Sequence, residues 1–582
     1  MKRKERRKNG AQVGKAHLRK HQPEAEEVGA AGPAAPGDSG EEVPQVRGGG
    51  LPVPPRAQDA PLPCHIDKGG AEDQDPLRPG GHGGDRPGVG AELPRGEEAG
   101  RGAVVPVGGS DTDARRPRPG RKSKGRPGRL ECAGDALGVV GQVLPDMNQF
   151  LSEVDDPRER WRVTYDAQGL LWCMILQRLG LADSARNWED VKHCGPLLPN
   201  INALSGCDFE DAPHSDTLKY FAARLDPGEL NKVLHKCFIR LRTDKRLELF
   251  KHGGYFRIAV DATEFHTSRH PMPRCCRRRL ANGETEYFQS ALVVSLVTRS
   301  GIRIPLHVEF IENNEGAGEY DKQDCELKAF FRMAGKLRKA FPRQSFHLLL
   351  DSLYFTAGVI ALLESHRWKY TIVWKDQAAP KFSALARKEI ARRTSCRLAV
   401  DDEENGEKYV CSWCNGVSHK PAGAERGYVV NAFRAEGTFA WSEGRRSTFA
   451  FVTNQRLNKE NIKEELQNGR GRWQIETTFN VQKNSELALE RSFGTRKNVS
   501  LVYFMTIQIA FLIRTLMTST NYFDKLLQQE TTGSTLGSAM NAFARCHRSV
   551  KAFMQHLKIS LLTQPIRLGR LPRGVHIVFN TS

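Results

Sequence analysis

Aromatic side chains are missing from the whole N-terminal stretch of this chain. All 27 Phe, 8 Trp and 11 Tyr of the 582 residues lie at or beyond Phe150, and residues 1–149 contain none. Gly and Pro break the same stretch in runs such as GGGLPVPPRAQDAPLP and RPRPGRKSKGRPGR. A segment of this kind buries too little apolar surface to offset its chain entropy. Residues 1–145 are therefore expected to be disordered, with nothing up to about residue 140 that docks as a helix or strand. Met147 stands just before the first aromatic and the first helical pattern, so a working protein that starts near it is one reading. A basic tail that binds polyanions loosely is the other.

Roughly 430 residues remain beyond 150, enough for one sizeable core with a helical module and an insertion. A net charge of +19 and a pI near 9.4 favour a polyanionic partner, most simply nucleic acid. Basic clusters occur at Lys2–Lys8, at Arg115–Arg129 and at Arg274-Cys275-Cys276-Arg277-Arg278-Arg279. The last interrupts a strand-rich region and is the better candidate for a phosphate contact. Among the 13 cysteines, Cys411 and Cys414 form the one C-x-x-C, with His419 nearby, and no second pair stands at zinc spacing. Reduced structural thiols fit this pattern better than a zinc site. The N-terminus has no apolar core of a signal peptide. The longest uncharged run, Asn498–Ile513, ends at Arg514 and reads as a buried helix rather than a membrane span.

Apolar spacing predicts helices from about 146 to 250, as in YDAQGLLWCMILQRLGL. The period then changes to that of strands: YFRIAVDAT (255–263), EYFQSALVVSLV (286–297) and IRIPLHVEFIE (302–312), separated by turn signals. A helix over about 322–341, strand SFHLLLD (345–351), a helix over 357–366 and strand YTIVW (370–374) follow. Several short strand-like runs fill 376–460, and 521–582 reads as a helical or irregular tail. The fold class is α/β, built on a mixed sheet.

Two apolar strands end in a carboxylate, Asp261 after Ile258-Ala259-Val260 and Asp351 after Leu348-Leu349-Leu350. Three consecutive strands, a crossover helix and a fourth strand would set these two strands side by side. Further on, GRWQIETTFNVQKNSELAL reads as one helix, and at about 100° per residue Arg472, Glu476 and Lys483 fall within about 40° of one another. One helix face thus presents a carboxylate between two cations. Asp261, Asp351 and Glu476 together would suit Mg²⁺ or Mn²⁺, in a pair of ions about 3.5–4 Å apart that activate a nucleophile and stabilise a leaving oxygen at phosphorus. Taken singly, each Asp also suits a turn cap, and an Arg/Glu pair at i, i+4 also suits a solvated ion pair. Asp324 and Glu326 read as helix-face residues.

These residues resemble the DDE transposases of bacterial insertion sequences, in the branch with a Tyr-x₂-Arg-x₃-Glu-x₆-Lys signature. Arg472, Glu476 and Lys483 match that spacing, and Tyr320-Asp321-Lys322-Gln323-Asp324-Cys325-Glu326 and LLLDSLYF (348–355) also resemble members of the branch. The similarity covers about residues 160–520 and departs at the Tyr position, which falls on Gly469. It implies an RNase H-like catalytic domain over 251–520 with a β-rich insertion at about 376–460. It also implies a homodimer on double-stranded DNA, binding to terminal inverted repeats, cleavage by water, and strand transfer to target DNA by the freed 3′-hydroxyl. Arg472 and Lys483 would by that analogy contact DNA phosphates. Trp473, Trp441 and Trp413 are candidate platforms for an extruded base, with core packing as the competing role. The protein would act in the bacterial cytoplasm, at the nucleoid. The alternative is a transposase-derived DNA-binding protein that keeps the fold without turnover. A glycosidase built on an Asp/Glu pair would leave Arg472 and Lys483 without a role.

Overall fold

Periodicity changes near residue 250, and the architecture changes with it. The computed structural model describes residues 131–313 and 324–580, apart from residues 378, 404–405, 421–426, 441–443, 492, 522, 524–538, 567 and 569–576. Helices come first: α1 (Glu131–Val143), α2 (Met147–Ser152), α3 (Ala167–Leu176), α4 (Ala185–Val191), α5 (Leu197–Ser205), α6 (Ser215–Arg224) and α7 (Pro227–Thr243). The start of α7 is encoded locally. Proline takes its first position, where the missing N–H costs nothing, and the Asp226 carboxylate accepts from the Gly228 N–H.

Helix α1 corrects the sequence expectation, because it lies inside the segment read as disordered. Ala136, Leu137, Val139, Val140, Val143 and Leu144 are all buried. Small aliphatic side chains suffice there because long apolar helices elsewhere in the fold supply the other half of the contact. The expectation for residues 1–130 lies outside the described residues.

The sheet follows: β1 (Lys251–His252), β2 (Tyr255–Ser268), β3 (Cys276–Arg279), β4 (Thr285–Val297) and β5 (Arg303–Ile311), then α8 (Glu326–Ala340), β6 (Phe346–Leu350), α9 (Ala357–Ser365) and β7 (Lys369–Val373). After α10 (Pro380–Arg392) come β8 (Arg397–Asp402), β9 (Glu407–His419), β10 (Tyr428–Thr438) and β11 (Arg446–Thr453). Last are α11 (Ile462–Gly471), α12 (Trp473–Asn484), α13 (Val499–Thr518) and α14 (Ala539–Thr563).

All the strands join one 11-stranded mixed sheet, in the order β3-β4-β2-β6-β7-β11-β10-β9-β8, with β5 on β4 and β1 on β2. The pairs β2/β6 and β6/β7 are parallel, and the others are antiparallel. The strands inserted after β7 are longer than their sequence runs indicate. They also extend the core sheet, since β11 lies on β7 with Phe451 opposite Val373. Cys411 and Cys414 sit three apart on β9 and so point to opposite faces, each buried in a different apolar cluster. Both are free thiols.

The helical module and the core strands share one apolar cluster. At its centre is α13, long and apolar enough by composition to cross a membrane, yet buried along its whole length. It packs against β5, α1, α3, α6 and α7.

Candidate active site

Asp261 stands in the middle of β2, not at its end as the sequence suggests. The strand continues to Ser268 because β4 goes on pairing with it, with Asp261 opposite Val293. On the other flank, pairing with β6 stops at Ala259 opposite Leu349, and β6 itself ends at Leu350. One side of β2 is therefore open from Val260 onward. Asp351 lies two residues beyond Leu349 and Asp261 two beyond Ala259, so both occupy the next matching position of the parallel register. They share a face because strand side chains alternate.

Helices α11 and α12 cross that face, α11 over β6 and β7 and α12 over β2. Arg472 joins them with helical backbone angles, and Glu476 lies in the first turn of α12. The Arg472 Nη1 is 2.8 Å from Glu476 Oε1 and 3.9 Å from Asp261 Oδ2. One nitrogen thus serves both carboxylates, which cannot be farther apart than those two distances laid end to end. Lys375, beyond β7, places its Nζ 3.6 Å from Asp351 Oδ1. The structure brings together Asp261, Glu476 and Arg472 directly, with Asp351 beside Asp261 by register.

Electrostatics agree with that placement. Burial pushes the Asp261 carboxyl up to about 6; Arg472 opposes the rise, while Glu476 and Asp351 add to it. A further acid belongs to the group. Glu326, at the start of α8, is pushed up to about 7, first by burial, against the Tyr354 hydroxyl, and with contributions from Asp261 and Asp351. It was read from sequence as a plain helix-face residue. Its place in the first turn of α8 is ordinary for an acid, so nothing in the sequence marked it. Asp324 precedes α8 and is not on its face: its carboxylate accepts from the Glu312 N–H and pairs with Arg332 at 2.7 Å.

The donors are all hard oxygens, which fits Mg²⁺ or Mn²⁺ in kind. Asp351 Oδ1 is buried and accepts no hydrogen bond from the described residues. Among those residues, no group of three His, Cys, Asp or Glu side chains is gathered as ready-made metal ligands. Between Asp261 and Glu476 the counterion is the Arg472 guanidinium.

Arg472 is only 6% exposed, which corrects the reading of it as a solvated helix cation. Trp473, next to it, is 59% exposed, so core packing does not account for that ring. Trp413 is core, and Trp441 lies outside the described residues. Trp473 borders a cleft of about 740 Å³ whose wall also includes Tyr409, Phe449, Arg257, Arg299 and Arg470. Arg257 and Leu349 have the parity of Asp261 and Asp351, so the cleft lies on the acidic face of the sheet.

Lys483 is elsewhere. It lies about 10 Å along the helix from Glu476, pairs with Glu490 at 3.2 Å, and lines a separate pocket of about 510 Å³ with Asp183, Arg491 and Arg514. The expected helix also ends early, at Asn484, where Ser485 turns extended. Gly469 has a packing reason: a Cβ there would lie 2.6 Å from the Phe451 ring, so any larger residue needs that ring to move. Of the basic cluster at 274–279, Arg274 is tied to Glu312 and Arg278 to Glu264 and Glu286. These two are neutralised within the fold. No protein-family model and no curated protein matches the sequence, so the site is read from its own residues.

Proposed function

We propose that the chain is a metal-dependent DNA transposase of the DDE kind, acting on the ends of an insertion sequence. The observation that carries this reading is the convergence of Asp261 and Glu476 on one Arg472 nitrogen, with Asp351 in register beside Asp261. The strand order β5-β4-β2-β6-β7, with two parallel pairs at its centre, supports an RNase H-like core. Asp261, Asp351 and Glu476 would hold the cation. Bound there, one or two Mg²⁺ or Mn²⁺ ions would supply Lewis-acid activation of a water or 3′-hydroxyl and stabilise the leaving oxygen. Arg472 holds Asp261 and Glu476 close despite their like charge, and it is placed to neutralise a phosphate that enters between them. Trp473 offers an exposed ring beside the acids on which a base could stack. The net charge of +19 supports double-stranded DNA as partner; a homodimer acting in the cytoplasm at the nucleoid enters the proposal through the transposase resemblance alone.

The test is cleavage of a duplex carrying the DNA that flanks the coding region, in Mg²⁺ or Mn²⁺. Alanine at Asp261, Asp351 or Glu476 is expected to abolish cleavage, a loss of at least about 10³-fold, and to leave duplex binding within about threefold, since affinity comes from the basic surface. A wild-type chain that binds the ends but never cuts them would instead be a transposase-derived DNA-binding protein.

A further inference from the structure

Glu326 and Tyr354 form, we propose, a positioning pair that fixes Asp351 in place; the proposal rests on the acidic-site reading above. Tyr354 closes the short 3₁₀ turn Ser352–Tyr354 that carries the chain away from Asp351, and its backbone N–H donates to the Asp351 carbonyl at 3.1 Å. Its ring is fully buried and packs on Phe330 of α8, with centroids 4.8 Å apart. The hydroxyl donates to Glu326 Oε1 at 2.5 Å. Helix α8 is thereby tied to the turn that presents the second aspartate.

Asp351 needs such a tie. It stands one residue past the last residue of β6, so the ladder no longer fixes its backbone, and among the described residues its carboxylate pairs with Lys375, at 3.6 Å. A ligand must be held to within about 0.5 Å to work, and a displacement of about 1 Å costs on the order of 100-fold in rate. The Glu326 carboxyl feels both Asp261 and Asp351, so it stands against the site and not on a remote surface. In this arrangement its task is to accept the tyrosine proton. Its charge is not required for that, because a glutamine carbonyl accepts the same bond.

Four full-length proteins decide the matter: wild type, Tyr354→Phe, Glu326→Ala and Glu326→Gln. Each is assayed for single-turnover cleavage and binding of the flanking-DNA duplex, for Mn²⁺ affinity by calorimetry without DNA, and for its melting temperature. Tyr354→Phe and Glu326→Ala are expected to cleave about 10–100-fold more slowly and to bind Mn²⁺ about tenfold more weakly, with duplex affinity unchanged. Glu326→Gln should stay within about threefold of wild type in all of these. Should Tyr354→Phe fail to fold, the contrast between alanine and glutamine at 326 carries the same test. A glutamine variant as defective as the alanine one would overturn the proposal, by showing that charge is what matters. So would a Tyr354→Phe protein that cleaves and binds Mn²⁺ normally. A wild-type chain that neither binds Mn²⁺ nor cleaves would overturn the reading of the site itself, and this proposal with it.

Discussion

Arg472 and Lys483 flank Glu476 on one helix face, four residues before it and seven after, and the fold treats them in opposite ways. Arg472 is buried between two carboxylates, whereas Lys483 makes one half-exposed pair with an exposed partner. Removing Arg472 would leave two neighbouring acids without a counterion, so Arg472→Ala is expected to cost about 2 kcal/mol of metal-free stability. Lys483→Ala should cost no more than about 0.5 kcal/mol. Urea denaturation of both variants checks this, and equal losses would show that the acids do not depend on the guanidinium. Protons are the other counterion. Asp261 titrates near 6 when folded and near 4 when unfolded, so the folded state binds the extra proton. The stability from that proton is fully present below about pH 4 and is lost as pH rises through 6, a change of about 2–3 kcal/mol. Glu326, pushed up to about 7, adds a loss of the same sign between about pH 4.5 and 7. Buried His235 and His347, held neutral by the fold, oppose this trend below about pH 6.5, so the acid is read by difference: the melting temperature of Asp261→Asn should rise relative to that of wild type between pH 5 and 7.5. Stabilisation by Mn²⁺ should be larger at pH 7.5 than at pH 5, and a pH-independent metal shift would count against Asp261 as its ligand. Asp261 and Asp351 were legible in the sequence because an apolar run followed by a carboxylate is rare inside a buried strand. The burial of Arg472 was not, since i, i+4 spacing tells which residues share a helix face but not what that face abuts. Glu326 was hidden because an acid in a first helical turn ordinarily needs no further reason than the helix dipole.

Strands and helices were read with unequal success for a physical reason. Continuous apolar runs report strands buried on both faces, which sufficed to place β2, β4, β5, β6 and β7, and the order of connections set β2 beside β6. Strand ends are decided by the neighbour. β2 outruns its apolar run by five residues because β4 continues to pair with it as far as Ser268, and this converts a strand-end aspartate into a mid-strand one. The insertion shows the same limit at larger size. Its strands alternate plainly, yet nothing in the alternation says that β11 adds to β7 and prolongs the core sheet. That addition brings the Phe451 ring against Gly469, so an element far along the chain favours glycine at that position. The early stop of α12 has a local cause, with Ser485 extended and Ala488 at positive φ. The apolar residues of SELAL, Leu487 and Leu489, are buried from a loop, not from a helix.

At the scale of the whole molecule, the helical module and the core sheet depend on each other through α13. That helix is buried from Val499 to Thr518 and touches α1, α3, α6 and α7 on one hand and β5 on the other, so neither part can shed the other without exposing it. Composition placed the start of the folded region near the first aromatic, because large rings dominate core burial. The boundary is earlier, since α1 contributes Ala136, Leu137, Val139, Val140 and Val143, five buried aliphatic side chains, and also meets α14. At about 1 kcal/mol or less for each such side chain after the cost of ordering, its removal should cost about 3–5 kcal/mol. Residues 131–582 are therefore expected to melt at the temperature of the full chain, while residues 147–582 melt well below it or fail to accumulate as folded protein. Urea midpoints for the three chains, with duplex affinity measured at two salt concentrations, separate the questions. Equal stability of the two truncated chains would mean that α1 is dispensable to the core. A 131–582 chain that folds normally but binds the duplex more weakly, with a shallower salt dependence, would assign residues 1–130 to loose phosphate contact, each lost contact reducing the slope by about one.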